Sequence, residues 1–229
     1  MLKTYSDFIN YAETTGVMAF SGKFIDGFPK LDALTMPSQW HTGDADTDPW
    51  QWKDRVATEK RLAFGNILGG RKGFIAPKLY PLFYSACCPD GTLEDRYRAG
   101  TVKKTVLDVY RLFETGDALD TSEIRKKMGV ARTPDTRTKK NGTSAVDAAV
   151  VTLQREFYIT VCGNRRKVSF DGREYGWPSN TYCLTGDWAR DWMTMPLLTT
   201  RDARTRILSH CAALDNRIDI NALEKLLFK

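Results

Sequence analysis

Apolar positions recur at helical spacing along most of the chain and alternate at strand spacing in only a few windows. Near the start, Phe8, Ile9, Tyr11 and Ala12 fall at i, i+3 and i+4. That spacing predicts a helix, with Ser6 as its cap and Gly16 as its stop. Residues 21–49 are rich in Gly, Pro, Asp and Thr, with one apolar patch, LDALTM, and predict a long ordered loop. Asp48-Pro49 then predicts a helix start, because Asp suits the cap and Pro the first turn; the helix runs through WQWKDRVATEKRLA. FGNILGGRKGFIA predicts a hairpin turned at Gly69-Gly70, and PKLYPLFYSACC a buried helix entered through Pro77.

The segment PDGTLEDRY marks a junction. Beyond it, TLEDRYRAGTVKKTVLDVYRLFETG carries one long helical pattern whose stripe is Val102, Val106, Val109, Tyr110 and Phe113, closed by Gly116. DALDTSEIRKKMGV predicts a short helix capped by Thr121 and ended by Gly129, with Ile124 and Met128 inward. A polar, basic connection, ARTPDTRTKKNG, leads to TSAVDAAVVTLQREF, a helix capped by Thr143 or Ser144 that turns Val146, Ala149, Val150 and Leu153 inward. YITVCG reads as a strand, NRRK as a basic turn, VSF as a second short strand, DG as another turn and SNTYCL as the last strand. DWARDWM, TTRDARTRILSHCAAL and INALEKLLF predict two or three closing helices. The pattern therefore predicts a mainly helical α+β fold. Residues 1–91 form a helical region with a β-hairpin, residues 92–186 a winged helix-turn-helix, and residues 187–229 a helical tail packed on the rest. In a winged helix the third helix enters the major groove and the hairpin reaches backbone or minor groove.

Composition narrows the class. With 42% hydrophobic and 27% charged residues the chain is of globular type. Its longest apolar runs, AVDAAVV and MPLL, are far too short to span a membrane, and the polar-interrupted start lacks a secretory pattern, so a cytoplasmic protein is expected. Five cysteines at irregular positions make no disulfide framework. No C-x-x-C pair is present and the two histidines are far apart, so neither a metal nor another cofactor is expected.

Charge adds a partner. Residues 1–91 hold ten basic and ten acidic side chains, so the net +6 lies entirely beyond them. Residues 125–173 alone hold 12 basic and 4 acidic side chains, the footprint of a polyanion binder such as double-stranded DNA. Arg125, Lys126 and Lys127 end the second helix of the predicted winged helix. Lys139 and Lys140 precede the third, and Arg165, Arg166 and Lys167 form the hairpin tip. These side chains are placed to neutralise phosphates. Asn141, Thr143 and Ser144, at the start of the third helix, are short polar groups suited to phosphates or base edges.

The residues DPWQWKDRVATEKRLAFG…GFIAPKLYPLF, the winged-helix segment and EFYITVCGNRRKV…GREYGWPSNTY together resemble bacterial AlkZ-related proteins, over most of residues 3–186. These are distantly similar to the AlkZ/YcaQ-type winged-helix DNA glycosylases. The resemblance implies winged-helix elements around a DNA channel, with excision of bases from alkylated or crosslinked DNA without a metal. The glycosylases position water with a Gln-x-Gln or Gln-x-Asp motif. Here Gln39 leads to His41, Gln51 to Lys53 and Gln154 to Glu156, so no catalytic residue carries over and the enzyme question stays open.

Other chemistry centres on WHTGDADTDPWQW (residues 40–52). Its D-x-D-x-D alternation does not make a complete calcium loop, since Gly43 precedes the series and Arg55 stands where a bidentate Glu belongs. Trp40, His41, Asp44, Asp46 and Asp48 remain as candidates for a flat, aromatic pocket that takes an extruded base; the alternative is a tryptophan-anchored loop with capping aspartates. YGWPSNTY (175–182) reads as a hairpin corner with Trp177 on the third helix; the resemblance would turn Asn180 and Tyr182 toward a DNA channel. Cys87-Cys88 reads as the end of a buried helix and His210 as a helix-packing residue. Two further functions fit the same pattern: a winged-helix transcription regulator, expected as a dimer, and a non-catalytic scaffold for protein partners. A repair-type protein is expected as a monomer.

Overall fold

The structure is a computed structural model that describes residues 1–130 and 145–228. Within them the chain is a mixed α+β protein with two small antiparallel sheets. Helix α1 (Tyr5–Thr15) is capped by Thr4 instead of Ser6. Thr4 is the residue in extended conformation, so its Oγ1 can accept from the Asp7 N–H while the Asp7 carboxylate accepts from Lys3 and Thr4; Ser6 already lies inside the first turn. Strand β1 (Val17–Ala19) follows. The expected long loop contains a short helix α2 (Leu31–Leu34) and a 3₁₀ turn at Pro37–Gln39. Helix α3 (Pro49–Thr58) starts as the Asp48-Pro49 pair predicts. Strands β2 (Ala63–Leu68) and β3 (Arg71–Ile75) form the hairpin, and β1 pairs with β3 to complete the order β1-β3-β2.

After α4 (Tyr80–Cys87), the single long helix expected over 92–116 is two helices, α5 (Leu93–Arg98) and α6 (Lys104–Arg111). Gly100 adopts φ +71° and Thr101 N–H returns to Arg96 O, a left-handed stop that the apolar stripe does not reveal. Strand β4 (Leu119–Asp120) leads into α7 (Thr121–Lys127). Asp120, not Thr121, caps it, reciprocated by Glu123. Helix α8 (Ala145–Arg155) buries Val146, Ala149, Val150 and Leu153. The expected NRRK turn is instead strand. β5 (Ile159–Val168) and β6 (Glu174–Leu184) form one long arm whose turn is 169–173, where Ser169 N–H bonds Arg173 O and Gly172 takes φ +81°. β4 adds to β6, giving the order β4-β6-β5. The tail is α9 (Thr185–Trp188), a 3₁₀ turn at Arg190–Trp192, α10 (Thr200–Ala212) and α11 (Ile220–Leu227).

Two apolar cores hold these elements. One joins Phe8, Trp52, Phe64 and Phe74 to Val106, Phe113, Ile124, Leu153 and Val161. The other joins Val17, Ile67 and Ile75 to Phe83, Phe157, Ile207 and Leu223. Both therefore draw side chains from each side of residue 91. Each such large side chain contributes roughly 1.5–3 kcal/mol on burial. The tail is seated on the β2–β3 turn: a Cβ at Gly69 would lie 1.8 Å from the Leu226 carbonyl oxygen, and Gly69 has φ +60°. Gly69→Ala is thus expected to unseat α11 and destabilise the protein by about 2–4 kcal/mol in chemical denaturation, since both strain and clash oppose it. A loss under ~1 kcal/mol would contradict this close packing. No helix among the described residues is long and apolar enough to cross a membrane.

Candidate nucleic-acid interface

The aspartates of residues 40–52 build the loop. Asp48 is 0% exposed and its carboxylate accepts from the N–H groups of His41 (3.0 Å), Gly43 (2.9 Å) and Trp50 (2.8 Å). His41 and Gly43 take φ +65° and +83°, which curls the loop around that carboxylate. Asp44 accepts from the N–H groups of Asp46 (2.7 Å) and Thr47 (3.2 Å), which hold its carboxyl below the usual range. Asp46 acts through its backbone oxygen, which accepts from Tyr5 N–H (2.7 Å) and Trp52 Nε1 (2.9 Å). Arg55 donates to Ala45 O at 2.9 Å while its guanidinium covers the Tyr5 ring, 3.7 Å from the centroid. Among the described residues, no group of three or more His, Cys, Asp or Glu side chains is arranged to hold a metal.

The three tryptophans of this stretch diverge. Trp52 is fully buried and stacked on Phe8, 5.4 Å between centroids at 14°. Trp40 lies edge-on to Phe20 at 5.5 Å and donates from Nε1 to Thr35 Oγ1. Trp50 is half-buried, with its ring 6.0 Å from Phe20 on the core side, 4.9 Å from His41 and 6.0 Å from Trp177; His41 and Trp177 are 5.8 Å apart. The rings of His41, Trp50 and Trp177 pack against one another as an aromatic cluster, called the box below, between the loop and the β5–β6 arm. Trp177 therefore does not pack on the third helix as expected. Arg165 pairs with Ser179 and Lys167 with Tyr175, so Arg166 alone opposes Gly176, Trp177 and Pro178. This bulge, with Gly176 at φ +74°, turns Trp177 out of the ladder and leaves it 65% exposed.

Beneath the box lies a charged pair. Lys53 Nζ is 4.5 Å from the Trp50 centroid and 2.5 Å from Asp54 Oδ1, with the two side chains only 6% and 7% exposed. Asp54 Oδ2 has no hydrogen-bond partner. Burial pushes the Asp54 carboxyl up, opposed by the nearby charges of Lys53, Lys72 and Arg166. Asn164 Nδ2 donates to the Asp54 backbone oxygen at 3.3 Å, tying the arm to α3.

The remaining candidates separate. Asn180 sits opposite Asn164 in the ladder, and Tyr182 is buried between Val161 and Leu119. Of the seven pocket candidates, only His41 enters the box. Gln39 is committed to Met36 N–H, Lys3 O and Thr47 O, and Gln154 to Asn66 N–H and Val150 O. Arg125 is bound to Asp147 through two contacts of 3.0 and 2.6 Å, Arg165 to Glu123 at 2.9 Å, and Arg166 to Glu174 at 4.0 Å. Lys126, Lys127 and Lys167 are exposed and make no ion pair among the described residues. Lys139, Lys140, Asn141, Thr143 and Ser144 lie outside the described residues. Alongside the lysines the arm exposes Val168, Phe170, Tyr175 and Trp177, with Phe170 fully exposed in the turn. The signal for this ridge was aromatic residues set among Arg and Lys on both sides of Asp171-Gly172. A cavity of about 910 Å³ lies elsewhere, walled in part by Tyr84, Tyr110, Phe157 and Tyr158.

Comparison with known proteins matches residues 2–228 to the family model described as AlkZ related. None of the curated proteins and none of the solved structures matches the chain.

Proposed function

The chain belongs to the AlkZ-related family, and from that premise we propose that it binds duplex DNA through a winged helix within 92–186 and samples altered bases in the His41–Trp50–Trp177 box. The order α6, β4, α7, α8, β5, β6, with β6 central in the sheet, supports the winged-helix reading. Residues 1–91 supply two walls of the box and residues 187–229 brace the whole. One observation carries the proposal: the arm that exposes Lys167 and Phe170 also carries Trp177, which meets His41 and Trp50. A basic, aromatic arm gives sequence-independent affinity from phosphates and a stacking surface for an unstacked base. With Gln39 and Gln154 occupied by structural hydrogen bonds, the reading is one of binding and recognition.

The test is anisotropy of labelled duplex DNA across a salt series. Wild type is expected to bind with affinity that falls steeply with salt. The triple variant K126E/K127E/K167E is expected to lose affinity and to flatten the log–log salt slope by about 2–3, close to one unit per lost phosphate contact. Unchanged binding in that variant would refute the assignment of these lysines.

A further inference from the structure

We propose that Lys53 is a nucleophilic amine that forms an imine with the ring-opened aldehyde of an abasic deoxyribose held against the aromatic box, with Asp54 taking its proton. The inference rests on the DNA-binding reading above and adds an activity to it.

Consecutive residues on a helix point about 100° apart and do not face each other. In α3, Lys53 and Asp54 nevertheless meet at 2.5 Å, both nearly buried. A buried ion pair is a weak source of stability, because desolvation offsets most of the attraction. The pair also has the arrangement that covalent chemistry requires: an amine, a base within hydrogen-bond reach, and an aromatic wall beside the amine. Asp54 has one oxygen occupied by the ammonium and the other without a partner. The contact at Oδ1 and the free Oδ2 place a proton acceptor directly beside the amine. Lys53 Nζ lies over the ring of Trp50, whose neighbours His41 and Trp177 complete the box. Lys72 and Arg166 place positive charge around the same spot, where flanking phosphates would sit.

The chemistry balances without a further reagent. Asp54 accepts a proton from Lys53, and the free amine adds to C1′ of the aldehyde. The carbinolamine loses water to give the imine. Asp54 returns its proton to the departing hydroxyl, and the freed carboxylate takes a C2′ proton as the 3′ phosphate leaves by β-elimination. Water then hydrolyses the conjugated imine, releasing the unsaturated aldehyde and restoring the amine.

The experiment incubates the full chain with a duplex carrying one abasic site, in the presence of sodium borohydride, which reduces an imine to a stable secondary amine. The expected result is a covalent protein–DNA adduct on a denaturing gel, mapped to Lys53 by mass spectrometry of its peptides. Lys53→Arg keeps the charge and the pairing to Asp54, yet a guanidinium stays protonated; adduct should fall by about tenfold or more while the melting temperature holds. Asp54→Asn should slow adduct formation while plain duplex binding persists. An adduct at another amine, or one that survives in Lys53→Arg, overturns the proposal. DNA binding with no adduct also overturns it and leaves the DNA-binding reading intact. Absence of any duplex binding removes both.

Discussion

Asp48→Ala is expected to lower the unfolding free energy by about 3–4 kcal/mol, read by urea denaturation with circular dichroism. The value combines the loss of an N-cap, about 1 kcal/mol, with two further N–H groups left unpaired at about 1 kcal/mol or more each. The bonds at risk are those to Trp50, His41 and Gly43. Asp48→Asn keeps an acceptor oxygen for some of these donors and should lose less. Because the same carboxylate fixes His41 in its left-handed conformation, Asp48→Ala should also blunt DNA recognition beyond its effect on stability. A loss below ~1 kcal/mol would mean that the loop holds its shape without this centre.

The second large effect concerns recognition. Trp177→Ala should remove about 1–3 kcal/mol of the preference for duplex containing an abasic or mismatched site over intact duplex, the typical contribution of one base–aromatic stack. Competition binding at fixed salt measures it. Trp177→Phe should recover part of the preference. Stability should change by less than ~1 kcal/mol, since Trp177 is largely exposed and its contacts are ring–ring pairs with His41 and Trp50. Equal loss on both duplexes would assign Trp177 to general affinity and remove the box from recognition.

The parts of this fold visible in the sequence are those set by local rules. Asp48-Pro49 fixes the start of α3, Gly69-Gly70 the hairpin turn, and the Val146–Leu153 stripe the buried face of α8. Where the reading failed, a nonlocal or left-handed feature decided. Gly100 ends one helix at a left-handed turn just before the apolar stripe that begins at Val102, and the polar helical pattern upstream hides the break. NRRK has turn-like polarity, but its backbone pairs with a β6 longer than SNTYCL suggested. The site was half visible for the same reason. His41 and Trp50 stand in one short stretch, whereas Trp177 is brought to them only by pairing between β5 and β6. Lys53 and Asp54 are ordinary helix residues in sequence; burial alone sets them apart. Tyr182 and Trp40 show the converse: both look like pocket residues, and both are packed with the core.

The bulge at Gly176–Pro178 also bears on how this arm can vary. Strand side chains alternate with a period of two, so a change of one residue inverts every facing beyond it, whereas a change of two preserves them. Three residues of β6 oppose one of β5 here, an excess of two. The arm beyond the bulge thus keeps its parity while a single tryptophan is displaced sideways. Variants of this chain that lengthen or shorten the bulge by an even number should keep Tyr175 on its present side and change only the reach of Trp177. Odd-numbered changes should turn the arm over, exchanging its aromatic and basic faces. Bulge length is therefore a parameter that tunes the box independently of the arm's orientation.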